Sequence, residues 1–316
     1  MLARLQQFTT IGLISLAVLW AARFIGIGQA GWGWLGALLI LLGYALFLGI
    51  EFLLLMRVQE TGPAPRAKGA QVLRAWWGEV ITAPRVFCWQ QPFRSSTEPD
   101  NLGALSAGRR GVVFVHGFVC NRGFWNPWMA RIRPQGVPFI AVNLEPLFGS
   151  IDQYADTIEQ AVRGVELATG LPPVVVAHSM GGLAVRAWLA RYDADTRVHR
   201  IVTIGTPHQG TWLARYGRTV NSREMAQRSP WLRDLADRSP AARHSLFTCF
   251  YGHCDNIVFP ASAGTLVGAD NRHIAATAHV HMAFQDAVFS EVSRWLSPAP
   301  SGPEGAAEIR REAAAP

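Results

Sequence analysis

The run Val174-Val175-Val176-Ala177-His178-Ser179-Met180-Gly181-Gly182 is apolar and β-branched up to a serine, then turns small. Its first part has the length and composition of a buried strand, and residues 181–191 read as a helix. A strand passing that abruptly into a helix tolerates only small residues two before and two after the serine, because larger side chains would strike the neighbouring backbone. Ala177 and Gly181 hold those positions. The turn pushes the Ser179 hydroxyl out above the sheet and sets the Met180 N–H, at the helix N-terminus, facing any negative charge that develops there.

The segments on either side repeat the same alternation. Residues 111–116, 137–143, 173–177, 200–205 and 246–251 read as apolar strands, with a short one at 274–276. Residues 122–132, 151–167 and 283–296 read as the intervening helices, and 71–94 as a helix followed by a strand leading into the domain. Continuous apolar strands alternating with amphipathic helices predict an α/β fold, a doubly wound and mostly parallel sheet.

Half of the 316 residues are hydrophobic and 16% are charged, below the usual quarter or so for soluble chains. The excess lies near the start: residues 8–22 carry no charge and, after Arg23, neither do 24–50. A spanning helix needs about 20 apolar residues, so two spans are expected, 8–27 and 34–56, with Gln29, Gly31 and Gly33 in the turn. A cleaved signal peptide ending near Ala21 and Ala22 competes for the first span, yet the second would still anchor the chain. Glu51 inside the second span is explained by snorkelling or by pairing with Arg57. Arg4 before the first span and Arg57, Arg66, Lys68 and Arg74 after the second place both ends in the cytoplasm.

The net charge of +7 comes from 29 Lys and Arg against 22 Asp and Glu, the basic residues scattered rather than clustered with aromatics, so nucleic-acid binding is not expected. Cys88, Cys120, Cys249 and Cys254 have no zinc-ligand spacing with the nine histidines, and only a Cys249–Cys254 bridge is open to an oxidising compartment.

Three motifs in order carry a family resemblance: Val115-His116-Gly117-Phe118 after the first strand, Ala177-His178-Ser179-Met180-Gly181-Gly182, and Gly205-Thr206-Pro207-His208-Gln209-Gly210-Thr211 after the next strand. With these, residues 111–296 resemble the bacterial lipase and esterase (triacylglycerol lipase-like) branch of the α/β-hydrolases. The resemblance implies an α/β-hydrolase fold and a Ser, Asp, His triad in that chain order. Asp255, in Asp255-Asn256-Ile257-Val258-Phe259-Pro260, is similar to the family's acid, and His279, in Ala278-His279-Val280-His281-Met282, to its base; His281 is the runner-up. The N–H groups of Phe118 and Met180 are then the oxyanion donors, with His116 holding their loop. His178, His199, His208, His244, His253 and His273 are read as packing, loop or surface residues.

The expected layout is a two-helix membrane anchor (1–60), a linker and entry (61–108), the catalytic domain (109–297) and a disordered tail (298–316). A cap at about 211–244, rich in Trp212, Leu213, Trp231 and Leu235, is expected over the serine, with 124–129 adding a wall; ordinary helix packing of these stretches is the alternative. The implied activity is hydrolysis of carboxylic esters with an apolar acyl part through an acyl-enzyme, with no metal or cofactor required. An acyltransferase or thioesterase on the same triad is the alternative, and a silent membrane-tethered interaction module the third. The implied partners are a lipid or small ester substrate and the membrane. The implied place is a bacterial inner (cell) membrane, the catalytic domain cytoplasmic or, alternatively, facing the periplasm.

Overall fold

The structure is a computed structural model that describes residues 1–60, 62–103 and 106–296; the tail expected to be disordered lies outside them. Six parallel strands form one sheet in the order β2-β1-β3-β4-β5-β6: β1 (Val112–Val115), β2 (Phe139–Ala141), β3 (Val174–His178), β4 (Arg200–Ile204), β5 (Phe247–Gly252) and β6 (Asp270–Ile274). The order reverses between β1 and β3, so the C-terminal ends of these strands flank the crevice where ligands bind in open sheets of this type.

Both faces of the sheet are covered. Val113, Val115, Val175, Ala177, Ile201 and Phe247 face α6 (Ala155–Thr169) and α7 (Met180–Tyr192). The alternate residues Val112, Phe114, Val174, Val176, Val202 and Phe250 face α5 (Asn126–Ile132) and α11 (Asp286–Leu296). Two-sided burial is what makes these strands apolar without alternation.

Two elements differ from the sequence reading. The last strand is β6, four residues upstream of 274–276; its Asp270-Asn271-Arg272-His273-Ile274 sequence is polar because it closes the sheet edge and is only half covered. No strand follows the helix expected in 71–94. Instead α3 (Gly69–Pro84) runs through a π-helical turn (Arg85–Gln90) into α4 (Gln91–Phe93). Pro84 lacks the N–H that would bond the Val80 carbonyl four residues back, the usual origin of such an irregular turn.

At the N-terminus α1 (Leu2–Gly26) and α2 (Ala30–Arg57) form a hairpin, turning through Ile27, Gly28 at φ 76° and Gln29, while Gly31 and Gly33 belong to α2. Both helices are long and apolar enough to cross a membrane. The first half of α1 and the second half of α2 pack onto the sheet-bearing domain through α3 and α4. The Tyr44 hydroxyl donates to the Val80 carbonyl orphaned by Pro84 (2.8 Å), Trp76 Nε1 to the Ala45 carbonyl (2.9 Å) and Gln7 Nε2 to the Pro92 carbonyl (2.6 Å). The other half projects with Leu16, Leu19, Trp34 and Leu38 exposed.

Candidate active site

Ser179 sits between β3 and α7 at φ 54°, ψ −129°, a left-handed conformation that costs a non-glycine residue energy and is held here by its surroundings. Its N–H donates to the Ile204 carbonyl at 2.9 Å. A Cβ added to Gly181 would lie 2.5 Å from the His116 carbonyl oxygen and 2.8 Å from that of Val115. That measures how closely α7 passes over β1, and it is why the turn needs a glycine there. Gly117 is equally constrained from the other side, since a Cβ would fall 2.8 Å from that of Ser179.

The loop after β1 carries Gly117, Phe118 and Val119, the last at φ 53°. The N–H groups of Phe118 and Met180 have no hydrogen-bond partner among the described residues. His116 fixes the loop base: Leu144 N–H donates to its Nε2 (3.0 Å), which leaves Nδ1–H to donate to the Gly117 carbonyl (2.9 Å). Burial drops the His116 pKa to about 4, keeping the ring neutral and that pattern intact.

Asp255 follows β5 and is buried. Its Oδ1 accepts from the N–H groups of Ile257 (2.9 Å) and Val258 (2.8 Å), and its Oδ2 lies 2.9 Å from His279 Nδ1. With Nδ1 engaged by a carboxylate, the neutral imidazole presents Nε2 as a base. Burial alone would lower the His279 pKa; the Asp255 carboxylate, helped by Glu79 and Glu51, outweighs it and raises the pKa above the usual 6.5. Gly205, in the third sequence motif, has φ 56° and approaches this pair so closely that a Cβ would be 3.0 Å from both Asp255 Oδ2 and His279 Nδ1.

Ser179, His279, Gly117 and Phe118 line one cavity of about 500 Å³, within the usual size of small-ligand sites. His281, the runner-up base, is on the far side of α10 (His279–Met282), against Gly78 of α3 and outside this cavity. Residues 211–244 do not line the cavity. Met225, Leu232 and Leu235 instead pack into the core beside Ile151 and Leu183, because these side chains have a nearer apolar surface at the α6 and α7 layer. Phe124, Trp125, Trp128 and Met129 are likewise buried under Phe114 as ordinary packing.

What covers the serine is the hairpin with α3. Thr10, Leu13 and Ile14 of α1, Leu41, Phe47 and Leu48 of α2, and Pro84 and Phe87 below α3 complete the walls. Glu51 corrects the sequence reading. It is buried, and its carboxylate accepts from Asn256 Nδ2 at 2.6 Å rather than pairing with Arg57. Asn256 Oδ1 in turn accepts from the His279 N–H at 3.2 Å. Glu79 of α3, 2% exposed, accepts from the N–H groups of Val280 (3.0 Å) and His281 (2.9 Å), so it caps the first turn of α10. Burial raises the Glu79 pKa to about 7. His178 adds a third support, its ring stacked on Phe124 (4.5 Å between centroids) and its Nε2 3.2 Å from the His279 carbonyl. Burial holds its pKa well below 6.5, so it is neutral.

Glu79, Asn256 and His178 carried no signal in the sequence. Glu51 did, as a lone carboxylate in an apolar span. The four cysteines are free thiols.

Residues 112–307 match the model of the alpha/beta hydrolase family. No curated protein matches the chain in sequence. Among solved structures the chain is similar to the mature form of a lipase from Bacillus licheniformis, with 17% identity over 60% of this chain and 93% of that one and a TM-score of 0.54. It is also similar to lipase B from Aspergillus fumigatus, with 17% identity over 62% of this chain and 55% of that one and a TM-score of 0.54. At this identity the likeness is one of fold.

Proposed function

The chain belongs to the alpha/beta hydrolase family, and from that premise we propose that it is a membrane-anchored serine hydrolase cleaving carboxylic esters with an apolar acyl part. Ser179 Oγ attacks the carbonyl carbon as His279 Nε2 takes its proton. Asp255 keeps the imidazole in the required tautomer and stabilises the imidazolium. The Phe118 and Met180 N–H groups receive the oxyanion. The bond to the leaving alcohol then breaks, and His279 returns the proton to that alcohol. Water adds to the acyl-enzyme by the same route, its proton passing through His279 to Ser179 Oγ as the carboxylic acid leaves.

The observation that carries this reading is the 2.9 Å Asp255–His279 hydrogen bond at the wall of the cavity into which the strained Ser179 projects. The apolar lining supports an acyl substrate. The exposed apolar half of the hairpin supports an anchor, and the basic residues flanking it support a cell-membrane location with the domain on the cytoplasmic side.

A fluorophosphonate probe tests the nucleophile. The wild type is expected to label at one site and Ser179→Ala not at all, with esterase turnover reduced by about 10⁴-fold or more. Labelling that persists in the variant overturns the assignment.

A further inference from the structure

We propose that the α1–α2 hairpin is the acyl-chain site as well as the anchor. A bilayer-resident ester without an anionic headgroup would pass its chain to Ser179 sideways, from the hydrocarbon of the near leaflet. This rests on the serine-hydrolase reading and adds the entry route and substrate class.

The first observation is where the cavity leads. Its inner end holds the buried Ser179 and His279, whereas Leu13, Ile14, Leu41 and Phe47 line it from the hairpin and are themselves 43 to 62% exposed on the outer surface. The apolar path therefore runs from the serine to a surface that only a bilayer would cover favourably.

The second is depth. Beyond Ile14 and Leu41 the free part of the hairpin is 12 residues of α1, to Gly26, and 11 of α2, back to Ala30. At 1.5 Å per residue that is about 18 Å, short of the roughly 30 Å of hydrocarbon a spanning hairpin crosses. If the turn between Gly26 and Ala30 sits at the far interface, with the exposed Trp32 and Trp34 close to it as tryptophans of membrane helices tend to be, the mouth of the cavity lies about 12 Å inside the near leaflet. The outer face of α3 fits the same placement. Leu73, Trp77 and Ile81, spaced four apart on one stripe, are exposed, and so is Trp89 beyond them. Such a stripe suits a helix lying in the interface.

The third is charge. Neither arginine nor lysine lines the cavity, while two carboxylates, Glu51 and Glu79, do. A phosphodiester beside the scissile ester would find no cation to pair with and, above about pH 7 where Glu79 is largely ionised, would meet negative charge. An uncharged acylglycerol-type ester meets no such repulsion.

The test uses the full-length protein reconstituted in phosphatidylcholine vesicles. An alkyl fluorophosphonate with a C12 chain ending in a diazirine is attached at Ser179 and irradiated, and the cross-linked peptides are identified by mass spectrometry. Cross-links in residues 8–26 and 30–56 are expected. Cross-links confined to 211–244 or to the soluble surface overturn the route. Failure to attach the probe at all overturns the serine-hydrolase reading instead, so the two outcomes are distinct. Kinetics give a second readout. Ile14→Trp and Leu41→Trp, which narrow the outer part of the path, are expected to lower the ratio of long-chain to acetyl ester turnover at least tenfold. An unchanged ratio in both overturns the proposal. For headgroup class, a diacylglycerol in the vesicles is expected to be cleaved at least tenfold faster than phosphatidylglycerol, and equal rates overturn the charge argument.

Discussion

The hairpin and the 211–244 segment are both apolar additions to the same sheet, yet they have opposite relations to the serine. The segment turns Met225, Leu232 and Leu235 into the core, and several of its polar bonds go to the turn just before α6: Glu224 accepts from the Ser150 hydroxyl and the Ile151 N–H (2.7 Å each), and Trp231 Nε1 donates to Asp152 (2.9 Å). Most of its large apolar side chains are used up in that packing, Tyr216 and Val220 excepted. The hairpin does the reverse. It settles its polar groups against α3 and the loop bearing Asp255, leaving its apolar surface partly over the cavity and partly outside. Amphipathic character alone does not tell which addition roofs a site. The buried polar groups do, because each must find its partner wherever the fold offers one.

That contrast breaks most visibly at Glu79. Its carboxylate satisfies two amides at the start of α10, one and two residues beyond the proposed base. Glu79→Ala leaves the buried Val280 amide without an acceptor, at a cost of about 1–3 kcal/mol, removes the acceptor of the half-buried His281 amide as well, and frees His279 to shift. A displacement of about 1 Å at a catalytic group can lower turnover by about 10²-fold, and that is the loss expected in kcat, with KM little changed. An unaltered kcat would remove α3 from the catalytic apparatus.

Glu51→Ala is expected to act less strongly, lowering kcat about tenfold, because its hydrogen-bonded link to His279 runs through Asn256 rather than to the α10 amides. Glu51→Gln retains an acceptor for Asn256 Nδ2 and is expected to restore most of the rate. If Glu51→Ala were silent, the hairpin would be a wall and an anchor but no support for the base.

The same carboxylates sharpen the comparison through pH. As the proposed base, His279 has to be neutral to take the Ser179 proton, and its pKa is raised above 6.5 in the folded protein. The acid limb of kcat/KM should therefore lie above the ordinary imidazole range, with activity lost as pH falls through it. Glu79→Gln removes a negative charge that favours the imidazolium, so the limb should move to lower pH in that variant. No comparable shift is expected from any substitution in 211–244.

The reach of sequence reading follows the same division. Strands β1 to β5 were legible because each is buried on both faces and so reads as an apolar run. β6 was misplaced because an edge strand can be polar. The triad candidates Ser179, Asp255 and His279 were legible because a tight turn, a carboxylate loop and a histidine in fixed chain order leave local signatures. Glu79 and Asn256 leave none, since a carboxylate that accepts two amides 201 and 202 residues away has no local pattern. Glu51 showed as an anomaly, but its partner lies 205 residues on, and the nearer Arg57 was the more natural choice from spacing alone.

The smallest effects on turnover are expected in the 211–244 segment, and they separate stability from catalysis. Leu235 is fully buried in α9 (Pro230–Asp237), so Leu235→Ala should cost about 2–5 kcal/mol of stability. Because α9 packs on α7 and on its own segment and not on the cavity, kcat of the folded fraction should stay within about twofold of wild type. Tyr216, 65% exposed in the same segment, touches neither the core nor the cavity, and Tyr216→Ala should change stability by no more than about 0.5 kcal/mol. Measured together with vesicle-bound long-chain esters, these two variants decide whether the segment moves over the serine during turnover. A drop in kcat of tenfold or more in Tyr216→Ala would mean that it does, and the hairpin would then share the roof with it.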